Sequence, residues 1–225
     1  MARLGRGSNQ YKIRAGNSLA DDIGDQWPDV LAPKLIHQAQ QETEDQAETD
    51  LWPDGPDAPA LLSKMATDTE AWVRRNAAQH PQCPPQDLAR LAGDPHPQVR
   101  EAVAENPATP KEVLQRLTGD DNGLVRQAVA QSRATPPQLL ERLAQDAYAW
   151  VRQGVAVNPN TPPQTLVQLA EDAEWHVRHE VAANPNSPPE ALVSLIGDED
   201  ALVRAAASRH LNLPEEYRVL HQATQ

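Results

Sequence analysis

An aspartate followed five residues later by Val-Arg recurs six times in this chain, always 26 residues apart. A fixed period of this length indicates a stacked array in which each unit packs on its neighbours, and this constrains the fold more than any other feature. We number six units from their aspartates, so that unit 4 begins at Asp146. The repeated residues are Asp68, Asp94, Asp120, Asp146, Asp172 and Asp198, with Arg74, Arg100, Arg126, Arg152, Arg178 and Arg204.

The sequence pattern of each unit predicts two short helices. In unit 4 the first should begin at Asp146, whose side chain would cap the opening turn, and end at Asn158, because a residue before proline is pushed out of the helical region. The second should begin at Thr161, where residues 161–164 (TPPQ) read as a capping box. Three glycines before the next aspartate should adopt a left-handed conformation that turns the chain; they are Gly93, Gly119 and Gly197. These signals predict an all-α solenoid.

The repeat divides the chain into three segments. Residues 58–221 form the predicted solenoid, and residues 222–225 a short tail. Residues 1–57 do not follow the pattern, and they carry eleven acidic residues between Asp21 and Asp57. We expect a partly disordered N-terminal extension with a helical cap beginning at Pro33, since the end of a solenoid needs covering. A disordered acidic tail is the alternative.

Composition restricts the function. The formal net charge of −12 argues against sequence-independent binding of nucleic acid or of an anionic membrane, and it suits either solubility or a basic partner. The single cysteine, Cys83, excludes a disulfide framework. We find no apolar stretch of membrane-spanning length and no secretory signal, so we expect a cytoplasmic protein.

Three segments carry a family resemblance. Residues 104–117 (AENPATPKEVLQRL), 156–170 (AVNPNTPPQTLVQLA) and 182–196 (AANPNSPPEALVSLI), each joined to a preceding VRxxVA motif whose alanine begins the segment, resemble the leucine-rich repeat variant family. The resemblance implies a right-handed superhelix in which an α-helix alternates with a shorter α or 3₁₀ helix, as in HEAT-like α-solenoids. Some members carry a cysteine-ligated iron–sulfur cluster ahead of the repeats. Residues 1–57 contain no cysteine, so we expect no cofactor, and the family offers no catalytic residues to transfer.

The repeated arginine predicts a ladder of polar contacts along the array. Each guanidinium would bond a carboxylate or a free helix-end carbonyl, in its own unit or in the next one, because the guanidinium fork can satisfy two acceptors in one plane. The alternative is an anion-binding track for phosphate. The acidic balance of the chain favours the ladder.

Candidate partner-binding residues lie where the units differ. We expect positions three, four, seven, eight and eleven after the aspartate to be exposed on the first helix. The fourth position forms a row of apolar and polar side chains, and an exposed row of this kind is typical of a binding surface. Alternatively, these side chains could be buried between neighbouring units and serve only to pack them together. In unit 4, Gly154 is expected to open space beside Trp150, with Gln153 adjacent. The row is Trp72, Gln98, Leu124, Trp150, His176 and Leu202.

Unit 5 adds Trp175, His176 and His179 to these candidates. The two histidines are three residues apart and could share a metal with a carboxylate, but a solvated polar face explains them as well, and no metal site is predicted. Cys83 occupies a position that threonine or serine fills in other units, and we interpret it as a tolerated substitute.

The function expected from these features is a non-catalytic scaffold that binds a protein partner through the variable face of the first helices. One alternative is an enzyme resembling HEAT-like DNA glycosylases, which Trp150, Trp175 and the arginine row permit and the acidic charge opposes. The other is an accessory protein of an iron–sulfur or cofactor enzyme, which rests on analogy of fold alone.

Overall fold

The computed structural model describes residue 53 and residues 55–217. The predicted N-terminal cap at Pro33 and the tail at 222–225 lie outside the described residues. Long helices alternate with short ones along the described chain. They are α1 (Ala58–Met65), α2 (Ala71–Gln79), α3 (Pro85–Leu91), α4 (Pro97–Glu105), α5 (Lys111–Leu117), α6 (Gly123–Gln131), α7 (Pro137–Leu143), α8 (Ala149–Val157), α9 (Pro163–Leu169), α10 (Trp175–Ala183), α11 (Pro189–Leu195) and α12 (Ala201–Arg209).

The long helix of each unit, such as α8 in unit 4, covers nine residues and begins three residues after the repeat aspartate. Asp146 therefore does not cap the helix, as the sequence had suggested. Its Oδ1 accepts the backbone N–H of Tyr148 at 3.0 Å and closes a turn ahead of the helix. Only Asn122 and Asp200, which directly precede α6 and α12, cap a described long helix with a side chain.

The short helices that follow the long ones, from α3 to α11, are α-helices of seven residues, and the predicted capping box is wrong. Pro162 directly precedes α9, and no side chain caps that helix. The hydroxyl of Thr161 instead donates to the carbonyl of Val155 at 2.6 Å, in the preceding long helix. A hydroxyl can donate as well as accept, and the last carbonyls of a helix need donors. Thr109 and Thr135 repeat this bond to Val103 and Val129.

The turn into the next unit needs no left-handed residue, which corrects the expectation for Gly93, Gly119 and Gly197. Among the described residues only Gly55 has a positive φ. The turn after α3 closes through bonds from the Gly93 N–H to the Arg90 carbonyl at 3.0 Å and from the Asp94 N–H to the Leu91 carbonyl at 2.9 Å. Because such a turn suits any residue, Gln145 and Glu171 occupy the same position in other units.

The core runs between the two layers of helices. Each long helix packs along the long helices before and after it, whereas neighbouring short helices contact each other sparsely. In unit 4 the fully buried side chains are Val151 and Val155 from α8 and Leu166 from α9. Burying each stabilises the fold by about 1.5–3 kcal/mol. The described residues contain helices and no strands, so the predicted all-α solenoid of two-helix units is confirmed.

Candidate partner-binding surface

An Arg–Asp ladder joins each unit to the next, as the sequence predicted. Arg126 in α6 donates from Nε to Oδ2 of Asp146 at 2.6 Å and from Nη2 to Oδ1 at 3.1 Å. Its Nη1 donates to the carbonyl of Asp120 at 2.7 Å. The same bonds join Arg74 to Asp94, Arg100 to Asp120, Arg152 to Asp172 and Arg178 to Asp198.

The electrostatics of the ladder follow from this geometry. Burial alone would raise the pKa of Asp146, but the Arg126 guanidinium and the Tyr148 N–H hold it below its ordinary value. The bond to Asp146 correspondingly raises the pKa of Arg126 against the effect of burial. These guanidinium groups are occupied within the fold, which removes the alternative of an anion-binding track along them.

A second ladder of asparagines, not recognised in the sequence, joins the other ends of the long helices. The Asn158 amide donates to the carbonyl of Ala130 at 2.6 Å and to that of Ser132 at 2.9 Å, both in unit 3. Its Oδ1 accepts the N–H of Asn160. Asn106 and Asn184 make equivalent bonds to the unit before each. The sequence signal for this ladder is the recurrence of asparagine at one position of the repeat, which we had interpreted only as the end of a helix.

The predicted row at the fourth position is not continuously exposed. Trp72 and Leu202, in the first and last units, have exposed fractions of 38% and 58%. Gln98, Leu124 and Trp150 are half-buried, and His176 is only 6% exposed. Adjacent long helices pack closely enough that the central members of the row fold between them, which corrects the expectation for His176.

Gly154 does not open space beside Trp150. It is buried, and a Cβ there would lie 3.1 Å from the Ala130 Cβ, so it allows α8 to approach α6 closely. The residue beside the indole is Gly123, where a Cβ would meet the Tyr148 ring at 3.0 Å and the Trp150 Nε1 at 3.3 Å. Tyr148 and Trp150 stack with ring centroids 4.4 Å apart and planes 8° from parallel.

Unit 5 has a second group of aromatic rings. Trp175 is 38% exposed, and it makes edge-on contacts with the His176 and His179 rings at centroid distances of 6.0 and 6.4 Å. Gln153, another candidate, donates to the Glu180 carboxylate of unit 5 at 3.1 Å. The Trp150 Nε1 and both His176 ring nitrogens are buried without a hydrogen-bond partner. The described residues contain no group of three metal-ligating side chains.

We define the aromatic patch as Tyr148, Trp150 and Trp175. Tyr148 is 43% exposed and directly precedes α8, and Trp175 is the first residue of α10, so both lie where neighbouring long helices begin. Two candidates, Trp150 and Trp175, therefore belong to the patch. Tyr148, which the sequence reasoning missed, provides its most exposed ring.

Cys83 is buried, and burial together with the nearby Asp87 carboxylate raises its pKa to about 11. Because the thiolate is the nucleophilic form, this thiol is poorly suited to catalysis near neutral pH. Its position is the one where threonines donate a hydroxyl to the long helix, which agrees with a tolerated substitution.

The ladders, the two-helix units and the alternating layers define an α-solenoid whose repeated polar residues hold its units together. Models of the leucine rich repeat variant match residues 149–174 and 175–200, and a model of the Leucine Rich Repeat Variant domain matches residues 74–133. A solved structure described as a leucine-rich repeat variant with a novel repetitive protein structural motif is 31% identical, with 73% of this chain and 70% of that chain covered and a TM-score of 0.54. The chain belongs to the leucine-rich repeat variant family.

No curated protein matches the chain. Within the described residues, every helix is too short or too polar to cross a membrane.

Proposed function

We propose that this solenoid is a non-catalytic scaffold that binds a protein partner through the aromatic patch. The observation that carries the proposal is the exposure of two large aromatic side chains, Tyr148 and Trp175, where two neighbouring long helices begin. Tyrosine and tryptophan dominate the binding energy of protein interfaces because they bury a large area at a low cost in side-chain entropy.

The patch is held rigidly, which favours binding. Tyr148 lies flat on Trp150, and the Arg126 guanidinium lies 5.5 Å from the centroid of the Tyr148 ring. Arg126 is itself fixed by Asp146. A ring that is already ordered loses little further conformational entropy when a partner covers it.

The charge of the surroundings indicates the partner's chemistry. The chain carries a formal charge of −12, and three glutamates lie close to Trp175 in the sequence: Glu171 at the end of unit 4, and Glu174 and Glu180 in unit 5. A partner segment with apolar anchors for the two rings and basic residues beside them complements this surface. Opposite charges raise the association rate and exclude acidic competitors.

The alternative of a DNA-glycosylase-like enzyme is less well supported. Its binding of the phosphate backbone would depend on free cations, and five of the six repeated arginines bond to aspartates within the fold. The net charge would also repel nucleic acid.

Photo-crosslinking tests the proposal. A benzophenone amino acid at position 175 should capture a discrete partner in the source cells, and the same group at Leu61, an exposed residue of the short helix α1, provides the matched control. The captured protein is then produced and titrated against wild type, the Tyr148→Ala/Trp175→Ala variant and Leu61→Ala. We expect the double variant to lose at least tenfold in affinity and Leu61→Ala to bind as wild type. Equal affinity for all three would show that the patch is not the binding surface.

A further inference from the structure

The asparagine ladder has a gap in unit 3. The position held by Asn106, Asn158 and Asn184 in other units is occupied by Ser132. Its side chain ends in a hydroxyl and lacks the carboxamide of asparagine. We call each asparagine with its bonds to the preceding unit a rung of the ladder. In the intact rungs the asparagine amide donates to carbonyls 28 and 26 residues earlier, as Asn158 does to Ala130 and Ser132. The corresponding acceptors for position 132 are the carbonyls of Ala104 and Asn106.

The gap leaves hydrogen-bonding groups unused. The Ser132 hydroxyl makes no hydrogen bond among the described residues, although Ser132 is only 8% exposed. In an intact rung the asparagine Oδ1 also accepts the N–H two residues later, as Asn106 does from Ala108 at 2.8 Å. The equivalent donor here is the N–H of Ala134. The gap therefore offers this N–H, the Ala104 carbonyl and the second lone pair of the Asn106 carbonyl, which already accepts the Thr109 N–H at 3.0 Å.

A cavity of about 520 Å³ opens at this place, between units 2 and 3. It lies where the long helices α4 and α6 end, and Ser132, Arg133 and Ala134 form one side of it. Glu105 and Pro107, which flank the Asn106 acceptor, form the other. A site of this size can hold a side chain or a small molecule. The two acceptor carbonyls, of Ala104 and Asn106, belong to the residues directly before the lining residues Glu105 and Pro107.

We propose that this notch, defined by Ser132, Ala134, Glu105 and Pro107, is a binding site for a primary carboxamide. A carboxamide supplies an NH₂ group for the two carbonyls and an oxygen for the Ala134 N–H, which reproduces the bonds that asparagine makes in three other units. A carboxylate would direct oxygens at the carbonyl acceptors. An ammonium group has no acceptor for the N–H. One acidic and one basic residue, Glu105 and Arg133, line the cavity, so its lining favours neither an anion nor a cation by charge.

The proposal goes beyond the aromatic patch, and it does not depend on a protein partner being bound there. Two sources supply the same chemistry: the side chain of asparagine or glutamine in a polypeptide, and a free small amide.

Amide titrations of the whole chain test this inference. The probes are propionamide and N-acetylasparagine N-methylamide, with propionate and N-acetylaspartate N-methylamide as carboxylate controls. In wild type, both amides should shift the backbone N–H resonance of Ala134 saturably and raise the Tm by about 2–4 °C relative to their effect on Ser132→Asn. The carboxylates should do neither. A response to the peptide-like amide alone would assign the site to a polypeptide, and a response to both would include free amides.

The variant Ser132→Asn is the matched control because it places the native asparagine of the other units in the notch. It should be more stable than wild type, and its Ala134 resonance should not respond to either amide. An equal Tm response of wild type and Ser132→Asn would overturn the proposal. So would an Ala134 shift in wild type that the carboxylates produce equally well, whatever the stability of the variant.

Discussion

Arg126 and Asp146, twenty residues apart in the chain, are joined by two parallel hydrogen bonds of 2.6 and 3.1 Å. The third guanidinium nitrogen bonds the backbone carbonyl of Asp120 at 2.7 Å. One side chain thereby fixes the turn that opens its own unit to the turn that opens the next. Because the arrangement recurs along the array, the ladder sets the register in which the units stack.

We expect Arg126→Ala to lower the free energy of unfolding by about 3 kcal/mol, because it leaves the largely buried Asp146 carboxylate without its partner. Asp146→Ala should cost a similar amount. The double variant should cost clearly less than the sum of the two, and a double-mutant cycle by urea denaturation measures this coupling. Arg142→Ala, at an exposed residue of α7, is the control and should change little. Additive single effects would show that the two side chains act independently.

The ladder also predicts how stability responds to acid. The ladder arginines and nearby N–H groups lower the pKa of Asp94, Asp120, Asp146, Asp172 and Asp198 below the ordinary value despite burial. The folded state therefore releases these protons more readily than the unfolded state does. Their stabilisation is present above the ordinary aspartate pKa of about 3.9 and is lost as the pH falls through the folded-state pKa values. Thermal unfolding from pH 6 to pH 2 should show a steep loss in wild type and a shallower one in Arg126→Ala/Asp146→Ala.

The repeat made the ladder and the core predictable because both depend on residues in fixed register. Arg126, Asp146 and Leu166 have one role each, and their spacing defines it. Thr161 was misinterpreted because the same hydroxyl can accept from a following helix or donate to a preceding one, and only the fold decides which. The exposure expected for His176 is wrong because the close spacing of neighbouring long helices buries it. That spacing is a property of the fold and cannot be read from the local sequence.

The asparagine ladder leads to a second stability prediction. Asn158→Ala removes a buried amide from two carbonyls, and we expect a loss of about 2 kcal/mol because the carbonyls are left without that donor. The matched control is Asn160→Ala, since the Asn160 amide donates to one carbonyl, that of Arg133, in an exposed position. Chemical denaturation should show a clearly smaller loss for Asn160→Ala. Equal losses would mean that burial of the Asn158 amide does not add to the stability of the fold.

Replacing Cys83 should make the fold more stable. In other units a threonine at this position donates its hydroxyl to the carbonyl six residues earlier, as Thr109 does to Val103 at 2.6 Å. Cys83→Thr should supply the same bond to the Ala77 carbonyl and raise the free energy of unfolding by about 1 kcal/mol. In wild type, the thiol should react with a disulfide reagent at pH 8 only as fast as the protein opens, because Cys83 is buried and the reagent cannot reach it. Burial also raises its pKa to about 11, which leaves little thiolate in the folded state. Rapid labelling of the folded protein would contradict this.

Glu101, a half-buried residue of α4, lowers the stability of the solenoid at neutral and alkaline pH. Burial, together with the Glu105 carboxylate, raises its pKa from 4.5 to about 7, although Arg75 acts in the opposite direction. Between these values the folded state holds a proton that the unfolded state releases, so stability falls as the pH rises through this window and stays lower above it.

Glutamine resembles the protonated acid without titrating. We therefore expect Glu101→Gln to be more stable than wild type by on the order of 1 kcal/mol at pH 8, with the difference vanishing towards pH 4. Urea denaturation across this range measures it, and Glu141→Gln, at an exposed residue of α7, serves as the control with little change at either pH. A stabilisation by Glu101→Gln that is the same at pH 4 and pH 8 would show that it does not arise from the titration of Glu101.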